Sequence, residues 1–292
     1  MRHQPKVEPR TPIVRMGMQR VDDASQLPDA AGECAGIKQA AAIRVRGHDR
    51  EYFVDQVVEE TAVALLYNGR SHAVMMATPS DLEDFALGFA LTEGIVASAD
   101  EFRLVDCLRT QHGISLQAAI PQHRYDALSG RNRNLIGRSG CGLCGVETLE
   151  AAVSAVRKVR DDADITTEAI IQGLRQLTAG QPLNRISGGV HAAGFVHAGG
   201  IEVREDVGRH NALDKVVGAL ALANLGSGFL VITSRASYEI VHKAAAAGIA
   251  TVVAISAPTD LAIRLARDAG ITLIAFARGE SMTIYTHADR VV

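Results

Sequence analysis

The last hundred residues of the chain carry the clearest pattern of hydrophobic and polar positions. Apolar runs at 229–232, 251–255 and 271–275 recur about 21 residues apart, and helical patterns at 236–247 and 260–269 separate them. Continuous apolar runs that alternate with helices are typical of strands buried on both faces. The pattern therefore predicts parallel strands in an α/β layer.

Residues suited to the ends of helices support this interpretation. Thr259 is a good N-cap for the second of these helices, and Gly248 and Gly270 are suited to end the two helices. Upstream, apolar runs on both sides of 197–200 predict a hairpin, and a helix over 211–223 follows it.

The first half of the chain shows turn and helix signals of another kind. Asn68-Gly69 lies between two apolar runs and predicts a β-hairpin with a type I′ turn. Ser80 and Glu83 have the spacing of a capping box, so we expect a helix to begin there and to end at Gly94.

These signals predict an α/β fold, with a layered C-terminal domain preceded by a smaller α+β domain. The divisions are a disordered extension over 1–40, an N-terminal α+β domain over 41–136, a cysteine-containing loop and helix start over 137–150, and a C-terminal domain over 151–292.

Composition narrows the classes of function. The chain has 292 residues, is 47% hydrophobic and carries a formal net charge of −3, which gives no overall attraction to nucleic acid or to an anionic membrane. The N-terminus lacks the apolar core of a secretory signal, and polar residues and glycines interrupt the most apolar stretch, 216–232. We expect a cytoplasmic protein with reduced thiols.

Four cysteines in a chain of this length are too few for a disulfide framework. Cys34 and Cys107 stand alone, whereas Cys141 and Cys144 form a C-x-x-C pair in a glycine-rich loop. A helical pattern over 146–156 follows the pair, so the loop is expected to lead into a helix N-terminus. The stretch before the cysteine pair contains four arginines and a single acidic residue, and it is either a solvated loop or an anion-binding patch. The arginines are Arg124, Arg131, Arg133 and Arg138.

The residues alone leave several readings of the pair open. A dinucleotide-binding glycine loop would need a strand before it, and the sequence predicts none there. A structural zinc site would need two more ligands. A redox-active dithiol and a cysteine that carries sulfur as a persulfide both fit the spacing. In either case Arg138 and the helix N-terminus would lower the pKa of the Cys141 thiol.

A second candidate site lies where the predicted parallel strands end. Ligands bind at the carboxyl edge of open α/β sheets, and helix N-termini at that edge favour phosphate. Ser234, Arg235 and Ser237 follow the first of these strands, and Arg278 follows the third. These side chains suit a phosphate-bearing ligand, although solvated surface charge is the plain alternative. His191 and the segment 206–214 fit either a structural or a ligand-binding role.

The chain closely resembles the formate dehydrogenase accessory sulfurtransferase family over about residues 41–292. The segments that carry the resemblance are RSGCGLCGVE at 138–147, SGGVHAA at 187–193, REDVGRHNALDK at 204–215, SRASYEI at 234–240 and FARG at 276–279.

The resemblance implies a protein that takes sulfur from a cysteine desulfurase and delivers it to the molybdenum bis-guanine-dinucleotide cofactor of formate dehydrogenase. The persulfide carrier of the family falls on Cys141, and Cys144 is the assisting second cysteine. The cofactor-binding segment, for which GDP is a mimic, falls on Phe276, Ala277, Arg278, Gly279, Glu280 and Ser281, and with it we group the candidates Ser234, Arg235, Ser237 and His191.

The resemblance further implies a homodimer that serves the formate dehydrogenase apoenzyme, with a C-terminal domain folded like cytidine deaminases. The zinc pattern of the deaminases is missing, since Ala192-Ala193 follow His191, so we expect neither a metal site nor deamination. A cofactor chaperone without sulfur chemistry and a dithiol oxidoreductase are the alternative functions.

Overall fold

A computed structural model describes residues 36–131, 157–159, 164–223 and 227–292. The strands in these ranges are β1 (Ile37–Arg46), β2 (Asp49–Val58), β3 (Thr61–Tyr67), β4 (Arg70–Ala77), β5 (Arg103–Thr110), β6 (Gly113–Ala119), β7 (His191–His197), β8 (Gly200–Asp206), β9 (Gly228–Ile232), β10 (Thr251–Ala254), β11 (Thr272–Arg278) and β12 (Ser281–Ile284). The helices are α1 (Leu82–Thr92), α2 (Gln122–Arg131), α3 (Thr167–Ala179), α4 (Pro182–Ser187), α5 (Arg209–Ala223), α6 (Tyr238–Ala246) and α7 (Asp260–Ala269).

A six-stranded sheet with the order β12-β11-β10-β9-β7-β8 forms the centre of the C-terminal half. Strands β9, β10 and β11 are parallel, as their apolar runs predict, whereas β7 runs antiparallel to β9. Alternate side chains of these strands enter two cores: Leu230 and Val252 pack with α5, α6 and α7, and Val231 and Val253 pack with α3. Helices on both faces confirm the layered α/β class.

The helix ends follow local chemistry. The Thr259 hydroxyl accepts a hydrogen bond from the backbone N–H of Ala262 at 3.3 Å and begins α7 as predicted. Gly248 and Gly270 have φ values of 73° and 77°, the left-handed conformation that glycine adopts without strain. Helix α5 begins at Arg209, two residues before the predicted start.

The N-terminal half contains a four-stranded sheet with the order β4-β3-β6-β5, and α1 packs on one face of it. The β3–β4 hairpin turns at Asn68 and Gly69, both with positive φ, which confirms the predicted turn. Strands β1 and β2 form a separate two-stranded ribbon. Strand β1 begins at Ile37, before the predicted boundary at 41, because Ile37 is buried and Gly36 pairs with Glu59 through the backbone.

In this half one local prediction is wrong, and one of the two interpretations of the arginine-rich stretch is contradicted for its first part. The capping box at Ser80 and Glu83 does not form: Asp81 is the N-cap of α1, and the Ser80 hydroxyl accepts from Lys215 Nζ at 3.4 Å. The first part of the arginine-rich stretch is the helix α2 rather than a loop, and its Arg124 donates from Nε to Glu101 at 2.9 Å.

Helices α1 and α5 join the two halves at close range. Gly88 of α1 faces the backbone of α5 at Asp214 and Gly218, and Gly218 in turn faces the backbone of α1 at Asp84. The absence of side chains at both glycines lets the two helix backbones touch, so the halves share one continuous interface.

None of the helices in the described ranges has both the length and the apolar character needed to cross a membrane.

Candidate functional site

The carboxyl edge of the parallel strands brings four segments together. The Thr233 hydroxyl, just after β9, accepts from the backbone N–H of Ala192 in β7 at 2.9 Å. The Ile255 N–H donates to Ile232 at 2.9 Å, and the Phe276 N–H donates to the Ser256 carbonyl at 3.1 Å. The start of β7 and the segments that follow β9, β10 and β11 therefore form one continuous rim.

The predicted cofactor segment 276–281 covers the end of β11, the turn at 279–280 and the first residue of β12. Phe276 is 46% exposed at a φ of 52°, a strained conformation for a side chain of this size, and Gly279 has a φ of 57°. Arg278 is exposed, and its Nε donates to the Ile255 carbonyl at 3.1 Å. Ala277 faces inward and is 1% exposed in the core. The end of β11 thus presents an aromatic ring and a guanidinium to solvent, whereas Ala277 contributes packing.

The residues after β9 also include both buried and exposed side chains. Ser234 is buried, and its hydroxyl donates to the Arg235 carbonyl at 3.1 Å, whereas the Arg235 side chain is exposed. Ser237 is the N-cap of α6, but its side chain does not cap the helix. Since α7 also begins at this edge, after Thr259, two helix N-termini and two exposed arginines lie along the rim.

His191 lies at the start of β7, opposite Asp206 of β8. Burial lowers the pKa of His191, the charge of Arg209 lowers it further, and Asp206 opposes both effects. The ring is therefore neutral at neutral pH. It can offer one donor and one acceptor to a ligand.

His210 and Glu239 extend this cluster from the first turns of α5 and α6. His210 Nε2 lies 3.9 Å from Glu239 Oε2. Burial raises the pKa of Glu239, but the Ser237 hydroxyl, the helix backbone and the charges of His210 and Arg209 lower it by more. Glu239 is therefore ionised. Three elements distant in sequence place these groups together, and Glu239 was not a candidate from the sequence.

A buried ion pair fixes the turn before α5. Asp206 Oδ2 lies 2.7 Å from Lys215 Nζ, and both side chains are fully buried. Lys215 also donates to the Thr78 carbonyl at 3.0 Å, and Asp206 accepts from the backbone N–H groups of Thr78 and Gly208. These contacts connect the N-terminal half to the turn from which Arg209 and His210 emerge.

Cys34, Cys141 and Cys144 lie outside the described residues, so their roles stay predictions. Cys107 is a free, exposed thiol on β5. The described ranges contain no group of three or more histidine, cysteine, aspartate or glutamate side chains arranged to hold a metal ion.

The fold and the rim define a class of protein: a layered α/β domain with two exposed arginines and two helix N-termini at its strand edge, joined through α1 to a second sheet. A family model described as the FdhD/NarQ family matches residues 58–292, and the chain belongs to this family.

Similar proteins cover nearly the whole chain. A "Sulfur carrier protein FdhD" of Xanthomonas oryzae pv. oryzae is 49% identical over 261 residues, which are 88% of this chain and 93% of the relative. That of Cupriavidus necator is 49% identical over 270 residues, 90% of this chain and 94% of the relative. A crystal structure from Desulfotalea psychrophila, described as a formate dehydrogenase accessory protein, has a TM-score of 0.68 at 25% identity and covers 87% of this chain and 98% of that chain. The family resemblance is confirmed.

Proposed function

We propose that this protein carries sulfur to formate dehydrogenase: it accepts sulfur from a cysteine desulfurase as a persulfide on Cys141 and transfers it to the molybdenum bis-guanine-dinucleotide cofactor. The observation that carries the proposal is 49% identity, over about nine tenths of the chain, to proteins named sulfur carriers. The homodimer, the desulfurase and the apoenzyme of formate dehydrogenase are the partners in this proposal.

The loading step needs a nucleophilic thiolate. The Cys141 thiolate attacks the terminal sulfur of the desulfurase persulfide, a new S–S bond forms at Cys141, and the desulfurase thiolate leaves. The sequence offers Arg138 to stabilise the thiolate and Cys144 as a neighbouring thiol.

The rim supports a nucleotide-bearing acceptor. Phosphates carry negative charge, and the rim offers the exposed guanidinium groups of Arg235 and Arg278 together with the N-termini of α6 and α7. The exposed ring of Phe276 gives a flat apolar surface beside Arg278, which suits a purine base.

Peptide mapping tests the sulfur carrier directly. The reduced protein is incubated with a cysteine desulfurase and cysteine, blocked with an alkylating reagent and cleaved with trypsin. We expect the peptide 139–157, which contains both cysteines of the pair, to gain one sulfur atom. The exposed Cys107 lies in the peptide 104–109 and is an internal control for non-specific persulfidation.

Two variants assign the sulfur within the peptide 139–157. Cys141→Ala should lose the modification, whereas Cys107→Ala should keep it. Sulfur found on Cys144 in the Cys141→Ala protein, or equal labelling of Cys107, would contradict the assignment. If Cys141→Ala also restores formate dehydrogenase activity in a strain that lacks this protein, the chain is a cofactor chaperone instead.

Arg278→Ala should weaken GDP binding by about tenfold or more, since a hydrogen bond to a charged group contributes about 1.5–3 kcal/mol. Titration calorimetry on the full chain measures the effect. Arg267→Ala is the matched control, because Arg267 is an exposed arginine in the last turn of α7, at the opposite edge of the sheet. Equal GDP affinity in the Arg278→Ala and wild-type proteins would remove Arg278 from the nucleotide site.

A further inference from the structure

Arg209 lies in the first turn of α5 with unused hydrogen-bonding capacity. Its Nε is enclosed and makes no hydrogen bond within the described residues. Arg209 begins α5 three residues after Asp206, which pairs with His191 at the start of β7, and the adjacent His210 lies 3.9 Å from Glu239 in the first turn of α6. The positive charge of Arg209 contributes to lowering the pKa of both His191 and Glu239. An arginine has five N–H donors in a rigid plane. The rim therefore holds an oriented cation that the protein's own contacts do not saturate.

The carboxylate of Asp206 does not neutralise this cation. Both of its oxygens already accept hydrogen bonds: Oδ2 from Lys215 Nζ and the Thr78 N–H, and Oδ1 from the Gly208 N–H at 2.7 Å and Asn211 Nδ2 at 2.9 Å. Lys215, fully buried beside Asp206, balances the charge of the carboxylate. The same contacts fix the turn that precedes Arg209, so the backbone from which its side chain extends is held in place before any ligand binds.

Glu239 is an ionised carboxylate near Arg209, and the charges of both His210 and Arg209 act on it. It lies 3.9 Å from His210 Nε2, and it is held in the first turn of α6. A phosphate that enters the rim would meet Arg209, the neutral ring of His191 and the N-terminus of α5 on one side. This set of groups matches the planar, bidentate recognition of phosphate that arginine provides.

We infer that Arg209 binds a phosphate group of the nucleotide ligand and is a further binding residue of the rim, outside the segment 276–281. The inference rests on the proposed function, because it assumes that the acceptor carries a nucleotide. It adds a third arginine, Arg209 at the start of α5, to Arg235 and Arg278 at the ends of β9 and β11.

Titration calorimetry of the full-length protein with GDP tests the inference. We expect Arg209→Ala to raise the Kd for GDP about 10- to 100-fold, as expected for charge-assisted hydrogen bonds to phosphate. Arg209→Lys keeps the charge but loses the planar fork, so it should give a smaller increase. Arg267→Ala, at the opposite edge of the sheet, should leave the Kd unchanged.

The outcomes separate this inference from the proposed function. If wild-type protein binds GDP and both Arg209 variants bind it equally well, Arg209 only supports the start of α5 and the inference is overturned. A lowered melting temperature with an unchanged Kd leads to the same conclusion. If wild-type protein does not bind GDP, the nucleotide acceptor in the proposed function fails and the inference fails with it, whereas sulfur loading of Cys141 is judged independently by peptide mapping. Should Arg209→Ala not fold, Arg209→Lys decides.

Discussion

Gly88→Ala is expected to lower the free energy of unfolding by about 3 kcal/mol or more, the upper range for overpacking a close contact. A Cβ atom on residue 88 would overlap the carbonyl oxygen of Asp214 and lie 2.8 Å from the backbone nitrogen of Gly218. Both are backbone atoms of α5, so no side-chain rotation can relieve the overlap. The two helices would have to separate, and the contact between the two halves of the molecule would be lost.

The direction of the expected change in stability distinguishes a close helix contact from an open helix. In an open helix, glycine to alanine stabilises by about 0.5–1 kcal/mol, the opposite of what the crossing of α1 and α5 requires. Urea unfolding followed by circular dichroism measures the free energy. Glu83→Ala, at an exposed position of the same helix, is the control and should have a much smaller effect. A stabilised Gly88→Ala protein would show that α1 and α5 do not touch through their backbones.

The parallel strands could be predicted because both of their faces are buried. Leu230 and Val231 enter different cores, so the sequence shows an unbroken apolar run with no alternation. The turn at Asn68-Gly69 could be predicted because few residue pairs adopt positive φ twice in succession. The turn depends on two adjacent residues, and the burial of both strand faces leaves a repeated apolar run, so the sequence shows both features.

The failed predictions have causes distant in sequence. Ser80 has the local pattern of a helix cap, but its hydroxyl faces Lys215, which is 135 residues away and buried among carbonyl groups. Arg124 of α2 counts as surface charge in the sequence, yet it pairs with Glu101, which precedes β5 and is 23 residues away. The local spacing of residues around Ser80 and Arg124 does not indicate either of these partners.

In the candidate site, too, some residues could be selected from the sequence and others depend on contacts between distant elements. The rule that ligands bind at the carboxyl edge was enough to select Arg235 and Arg278, which are exposed on the rim. It could not separate Ala277 from Phe276, because which of the two faces the core depends on strand pairing. Arg209 and Glu239 lie near each other only because α5 and α6 begin at the same edge, and no spacing in the sequence indicates this.

Lys215→Met is expected to cost about 3–5 kcal/mol of unfolding free energy, the usual effect of leaving a buried charge without its partner. Methionine fills the space of the lysine stem but removes the ammonium group that lies 2.7 Å from Asp206 Oδ2. The carbonyls of Thr78 and Glu205, which accept from Lys215 at 3.0 and 3.3 Å, lose a donor as well. Because Asp206 also fixes the turn before Arg209, the loss should loosen the rim along with the junction between the two halves.

A double variant separates the unpaired charge from the lost packing. In Asp206→Asn/Lys215→Met the buried carboxylate is gone, so this protein should be more stable than Lys215→Met alone, although less stable than wild type. Arg264→Met breaks the exposed pair of Arg264 with Asp260 at 3.1 Å and should leave the unfolding free energy unchanged within error. If the double variant is no more stable than Lys215→Met, the cost arises from the lost hydrogen bonds to the carbonyls and not from the stranded charge of Asp206.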